Sequence, residues 1–237
     1  MRLLDLTLDS PAENVALDEA LLDEAEAASE PVETLRLWES PSPMVVVGRS
    51  SRISEEVRWE ACARLGIPVL RRASGGAAVV LGPGCLVYGL VLNLQHRPAL
   101  RMVEQAHRVV LDRLADALRR WVPGICRRGT SDLALGEAKF SGNSVRLKRR
   151  CLLYHGTLLY NFPLELVEKC LAMPPRQPAY REGRPHRAFL TNLPLSGEII
   201  RRAVAGAWCG QQVRTDWPQA QTARLALSKP CTTAEDR

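Results

Sequence analysis

Aromatic residues make up only 5% of this 237-residue chain. They are too few to interleave with the arginine clusters at Arg71-Arg72, Arg119-Arg120, Arg127-Arg128 and Arg149-Arg150, which disfavours a nucleic-acid module that reads bases by stacking. The seven cysteines, Cys62, Cys85, Cys126, Cys151, Cys170, Cys209 and Cys231, form no CxxC pair and no short repeated spacing. An odd count without pattern excludes a disulfide framework and a zinc site, and predicts reduced thiols in a cytosolic compartment. No apolar run reaches the roughly 18 residues of a membrane span; the longest candidate, around 77–94, is broken by Gly82, Pro83, Gly84 and Gly89. The start, MRLLDLTLDSPAEN, carries acids where a secretory signal has a basic region. These absences predict a cytoplasmic protein with no membrane partner.

What is present fits an ordinary globular domain. Hydrophobic residues are 46% and charged residues 24% of the chain, and a chain of this length buries roughly 70–75% of its unfolded surface. Lysine and arginine (32) exceed aspartate and glutamate (26) by 6, a mild attraction to phosphates, carboxylates or acidic proteins.

Ser10-Pro11-Ala12-Glu13 supplies an N-cap, a first-turn proline and a capping-box acid, so the spacing of Leu17, Ala20, Leu21 and Ala25 predicts an amphipathic helix from Glu13 to about Ala28. Thr34–Trp38 and Met44–Gly48 read as strands, Glu55–Leu65 as a short helix and Pro68–Arg71 as another strand. The apolar runs Ala77–Leu81 and Leu86–Leu94 flank Gly82-Pro83-Gly84 and predict a hairpin. Met102–Trp121 has unbroken helical periodicity. Asp132–Leu135, Lys139–Arg146 and Cys151–Tyr160 read as strands, the last interrupted at His155-Gly156. Leu164–Met173 and Glu198–Cys209 read as helices, Pro174–Arg187 as a loop and 229–237 as a frayed tail. The pattern predicts an α+β fold with a mixed or antiparallel sheet flanked by helices, as one domain over residues 1–228.

Three short segments carry candidate chemistry. Arg71-Arg72-Ala73-Ser74-Gly75-Gly76-Ala77-Ala78 combines fixed cationic forks, a hydroxyl and glycines that admit close backbone approach. Taken alone it reads first as a surface turn with solvated arginines. Asp132-Leu133, followed by Lys139-Phe140-Ser141-Gly142-Asn143, places an ammonium among apolar strand residues, where it can stabilise developing negative charge; the plain alternative is an exposed hairpin lysine. His155-Gly156-Thr157 sits inside an apolar run, where a lone histidine reads first as a hydrogen-bonded structural residue.

In this order and separation, RRASGGAAV, DLALGEAKFSGNSVR and LLYHGTLLYN resemble the lipoate-protein ligase A family. Supporting landmarks are Asn14 to Leu21, Leu37-Trp38 and Val46-Val47-Gly48-Arg49. The resemblance, over about residues 10–195, implies the biotin/lipoate ligase-like catalytic fold. It implies activation of lipoate with ATP to lipoyl-AMP, then transfer to a lysine of a lipoyl carrier domain, an acidic protein partner. By the same resemblance Lys139 contacts the acyl carboxyl and the α-phosphate. Arg72, Ser74, Gly75, Gly76 and Ala78 lie along the ligand, Asp132 lies near the nucleotide and is a candidate for Mg2+, and His155 with Gly156 and Thr157 forms a pocket wall. Ser141 and Gly142 belong to the lysine segment.

Two departures qualify it. Ala77 stands for a third glycine, tolerable where that residue has φ below zero, and Cys85 stands for an asparagine. Many family members carry a C-terminal accessory domain, which nothing after Cys209 is long enough to form, so the resemblance implies either a single-domain ligase or one that depends on a separate accessory protein. The alternative reading is an octanoyltransferase that uses no ATP and carries the acyl group as a thioester on Cys126, its thiolate favoured by Arg127 and Arg128. A noncatalytic lipoate- or nucleic-acid-binding protein is the third.

Overall fold

The computed structural model describes residues 1–208 and 212–234. In chain order the strands are β1 (Arg2–Asp5), β2 (Thr34–Trp38), β3 (Met44–Val47), β4 (Val69–Arg71), β5 (Val79–Leu81), β6 (Cys85–Asn93), β7 (Ile125–Arg128), β8 (Asp132–Leu135), β9 (Ala138–Leu147) and β10 (Cys151–Leu159). The helices are α1 (Pro11–Ala27), α2 (Ile53–Glu56), α3 (Trp59–Arg64), α4 (Val103–Arg119), α5 (Glu165–Cys170), α6 (His186–Phe189), α7 (Gly197–Trp208) and α8 (Gln219–Ala226). A seven-stranded sheet runs β1-β2-β6-β10-β9-β8-β7 and a three-stranded sheet runs β4-β3-β5. The β1–β2 and β3–β4 pairs are parallel and the others antiparallel. This is the mixed, helix-flanked α+β architecture that the sequence pattern predicts.

Strand periodicity sorts the core into layers. Successive side chains of a strand point to opposite faces, so Leu86, Tyr88, Leu90 and Leu92 of β6, with Leu152, Tyr154 and Leu158 of β10, pack under α4 and α7. The alternate residues Val91, Cys151 and Leu153 meet α1. Cys85, Val87 and Leu159 join the cluster of the small sheet. Strands covered on both faces read as continuous apolar runs, which is why β10 is not interrupted: His155 and Thr157 share the face of Leu153 and Leu159. Ser10 caps α1, accepting from the Glu13 backbone N–H at 3.3 Å. That helix is buried on most sides, between the large sheet and α8, so its apolar positions do not form the expected single stripe.

Other expectations are corrected. The runs around Gly82-Pro83-Gly84 are no hairpin: β5 pairs with β3 in the small sheet, while β6 sits between β2 and β10 in the large one. Both runs are buried, but burial does not say against which partner. Glu55–Leu65 is split into α2 and α3 at Val57-Arg58. Pro174–Arg187, expected as a loop, holds a short 3-10 turn and the start of α6. Cys209, the expected end of α7, lies outside the described residues, as do 235–237. The segment expected to fray is fastened where it starts. Lys229 pairs with Glu19, its carbonyl accepts from Arg71 N–H at 2.8 Å, and Cys231 N–H donates to Val69 at 2.9 Å. No helix among the described residues is long and apolar enough to cross a membrane.

Candidate active site

Between the two sheets lies a cavity of about 480 Å³, closed along one side by the chain from Ala172 to Leu190. The small sheet, α5 and neighbouring elements give it an apolar wall, including Val46, Val79, Leu81, Val87, Leu159 and Val167. β8, β9 and the turn before them give a polar wall from Thr130 to Ser144. Of the residues singled out in the sequence, Lys139, Arg72, Gly76, Ala78, Asp132, Ser141, Gly142, His155, Gly156 and Thr157 all border this cavity. Ser74 and Gly75 lie behind it, Ser74 only 1% exposed.

Lys139 and Asp132 face each other across the β8–β9 hairpin, where the register slips between Leu133 and Ala134. The Lys139 ammonium stands 2.8 Å from Asp132 Oδ1, and Tyr180 O–H donates to Asp132 Oδ2 at 2.8 Å. Burial, and then the neighbouring Asp132 charge, push the Tyr180 phenol well above its ordinary value, so it remains a neutral donor. Gly142 makes room for the ammonium, since a Cβ there would stand 2.8 Å from Lys139 Nζ. Asp132 thus has one oxygen on a cation and the other on a phenol. That is an ion-pair arrangement and does not fit a metal site; among the described residues no group of three or more His, Cys, Asp or Glu side chains is placed to hold a metal.

Arg72 does something other than lie open to a ligand. Its Nε–H donates to Ser74 Oγ at 3.2 Å, Nη1 to Val46 O at 2.9 Å, and Nη2 to Gly75 O at 2.6 Å and Ala77 O at 2.9 Å. Burial lowers its pKa to about 10, against the opposing pull of Glu56, so it is still a cation at neutral pH. The guanidinium therefore works mainly as a clamp that gives the glycine loop its shape. Gly76 takes φ of +89°, whereas Glu182 alone among the described non-glycine residues has positive φ; the methyl of Ala77 is accordingly unstrained.

Behind the loop, Ser74 Oγ and His155 Nε2 are 2.6 Å apart, and His155 Nδ1 is 3.3 Å from Asp18 Oδ2. Asp18 Oδ1 accepts from buried Arg36 at 2.7 Å. Burial works to raise the Asp18 carboxyl, but Arg36 and the His155 hydrogen bond outweigh it and hold the group below its usual value. Asp18 and Arg36 were not singled out in the sequence, although Asp18 falls in the Asn14–Leu21 landmark. Also missed was Arg181, which borders the cavity, is 4% exposed and has no ion-pair partner among the described residues. Its Nε donates to Arg184 O at 3.0 Å and its Nη2 to His186 Nδ1 at 3.3 Å, with the guanidinium over the Phe189 ring. A proline- and arginine-rich stretch without periodicity gives no sign of which arginine turns inward.

Cys126 is not brought to the cavity. It sits on β7 with its thiol near Gly136 O, and the flanking arginines are engaged, Arg127 with Asp112 at 3.4 Å and Arg128 with Glu137. None of the described cysteines borders the cavity.

The family profile of the lipoyl protein ligase A/B catalytic domain matches residues 10–200. The chain belongs to that family. An Aeropyrum pernix relative, provisionally named lipoate-protein ligase A, is 34% identical over 158 residues, 66% of this chain and 56% of its own. The octanoyltransferase LipM of Geobacillus kaustophilus is 26% identical over 189 residues, 70% of this chain and 67% of its own. The family thus joins the chain to lipoate ligases and octanoyltransferases alike, and the chain spans about half the length of the curated ligases it matches. In fold it is similar to the bi-partite lipoate protein ligase of Thermoplasma acidophilum, with TM-score 0.77, 20% identity and coverage of 95% of this chain and 90% of that one. It is equally similar to a lipoate-protein ligase A bound with ATP, with TM-score 0.75, 21% identity and coverage of 95% and 92%.

Proposed function

We propose that this family member is an ATP-dependent lipoate-protein ligase. The observation that carries the reading is a cavity with an apolar wall and an ion-paired lysine on its polar wall, to which no described cysteine is brought. A thioester route needs a thiol at the acyl carboxyl; an adenylate route needs cations and backbone donors where two anions meet.

In the first half-reaction a lipoate carboxylate oxygen attacks the α-phosphorus of ATP, the bond from that phosphorus to the bridging oxygen breaks, and pyrophosphate leaves. Lys139, held at Asp132, supplies the positive charge that offsets repulsion between carboxylate and phosphate. Arg72 keeps the glycine loop shaped, and Arg181 offers a second cation at the same cavity. The apolar wall takes the acyl chain and excludes water. In the second half-reaction the ε-amine of a lysine on a lipoyl carrier domain attacks the acyl carbonyl and AMP leaves, the amine losing a proton. Magnesium would arrive with the nucleotide's phosphates, because Asp132 is already committed. The carrier is proposed to be acidic, matching the chain's excess of 6 positive charges, and a separate accessory protein is proposed by analogy with the neighbour described as bi-partite.

The match to octanoyltransferases favours a second reading, ATP-independent transfer from an octanoyl thioester through Cys126. Incubation with an apo lipoyl domain and either lipoate plus MgATP or octanoyl-acyl carrier protein separates them, in wild type and Cys126→Ser. Modification that needs ATP and survives the substitution supports the ligase. ATP-free transfer lost in Cys126→Ser would establish the transferase instead.

A further inference from the structure

Ser74, His155 and Asp18 have the composition and order of contacts of a hydrolytic triad, with hydroxyl to imidazole 2.6 Å and imidazole to carboxylate 3.3 Å. Two observations rule out that use. Ser74 is 1% exposed and stands behind the cavity wall, so no carbonyl can reach it. Its Oγ is moreover already an acceptor for Arg72 Nε–H, which draws electron density away from a would-be nucleophile.

Following the protons gives a different role. Asp18 holds the Arg36 guanidinium on one oxygen and His155 Nδ1 on the other, so Nδ1 is the nitrogen that must carry hydrogen to face a carboxylate. In the neutral imidazole Nε2 is then the acceptor. The Ser74 hydroxyl is buried, accepts from Arg72, and has Nε2 as the acceptor for its own hydrogen. A buried hydroxyl left without an acceptor would be costly. The string runs in one sense, from Arg72 Nε–H to Ser74 Oγ–H to His155 Nε2, with His155 Nδ1–H to Asp18 and Arg36 closing the far end.

We infer that Asp18, His155 and Ser74 are positioning residues, a tautomer-locked string that fixes the Arg72 guanidinium and, through it, the shape of the glycine loop. Arg72 reaches Val46, Gly75 and Ala77 with its other donors. Its Nε is the contact that ties this clamp to β10 and α1, elements outside the loop. Ser144 adds a second tie from β9, donating to Gly75 O at 2.9 Å. This gives the loop's serine and the strand's histidine one shared purpose, in place of two independent ligand contacts.

The first test needs no activity. In protein labelled with 15N histidine, multiple-bond proton–nitrogen correlation resolves the ring nitrogens of the four histidines, and loss of one set in His155→Gln assigns His155. Hydrogen on Nδ1 with unprotonated Nε2 at neutral pH is expected; hydrogen on Nε2, or on both nitrogens, overturns the inference. In Ser74→Ala the Arg72 Nε–H resonance is expected to lose its protection from exchange, and unchanged protection contradicts the clamp. A kinetic arm rests on the ligase reading. Ser74→Ala should raise the KM for lipoate at least tenfold. An unaltered KM, or labelling of Ser74 by a fluorophosphonate, overturns the positioning role. If wild type activates no acid at all, the ligase reading fails while the two magnetic-resonance tests still decide the string.

Discussion

Replacing Gly156 by alanine probes the site through a single methyl. Gly156 lies opposite Asn143 in the β9–β10 register, and the Asn143 side chain crosses directly over it: an added Cβ would stand 1.8 Å from Oδ1 and 2.7 Å from Cγ. The amide cannot yield cheaply. Its Oδ1 accepts from Tyr88 O–H, and its Nδ2 donates to Ser131 O at 2.8 Å and to Ser141 Oγ at 3.0 Å. At about 1 kcal/mol for each of these contacts, moving Asn143 costs about 3 kcal/mol. In a chain of this size each kcal/mol shifts Tm by about 2–4 °C, so Gly156→Ala should melt about 6–12 °C below wild type. Thermal unfolding followed by circular dichroism measures it. Asn143→Ala removes the obstructing amide and leaves the Gly142 carbonyl oxygen, 3.0 Å from the added Cβ, as the remaining close contact, so most of the cost should vanish, a coupling of about 2 kcal/mol in a double-mutant cycle. A fall of under 2 °C in the single variant, or strict additivity in the double one, would refute the steric account.

Tyr180→Phe removes the donor on Asp132 Oδ2 and should cost about 1–2 kcal/mol, read by denaturant unfolding; no change would mean that water or another donor replaces the phenol. Stability should fall as pH drops below neutrality. Burial holds His107 and His186 below the ordinary 6.5, so as pH falls through 6.5 the unfolded chain takes up protons that the native state resists. The melting temperature should therefore decline from pH 7 to pH 5, and His107→Gln with His186→Gln should flatten that slope; an equal slope contradicts it. Ending the chain after Ser228 removes the Lys229–Glu19 pair and the backbone bonds of Lys229 and Cys231 to β4, and should cost about 2–3 kcal/mol. Unchanged unfolding would mean that the segment contributes nothing.

What was legible in the sequence was whatever depends on local chemistry. Ser10 and Pro11 announce α1, the spacing from Val103 to Leu118 announces α4, and three motifs mark a cavity that ten of the singled-out residues border. What was hidden depends on long-range partners. Periodicity shows that β5 and β6 are buried strands but not that they join different sheets. Cys126 beside two arginines reads as a candidate thiol, and only the fold shows that it sits on β7 away from the cavity, with those arginines paired to Asp112 and Glu137. Arg72 reads as a ligand clamp until its donors are followed to the loop's own carbonyls. Arg181 has no neighbouring pattern at all, since its inward turn is set by Phe189 and His186 from α6.

Lipoate-dependent exchange of labelled pyrophosphate into ATP tests the ligase reading most directly, because it reports the adenylate step without any carrier protein. Wild type should catalyse exchange, and Lys139→Ala should lose it with its circular dichroism spectrum intact. Exchange retained in Lys139→Ala, or absent from a wild-type protein that moves octanoyl groups without ATP, would contradict the account.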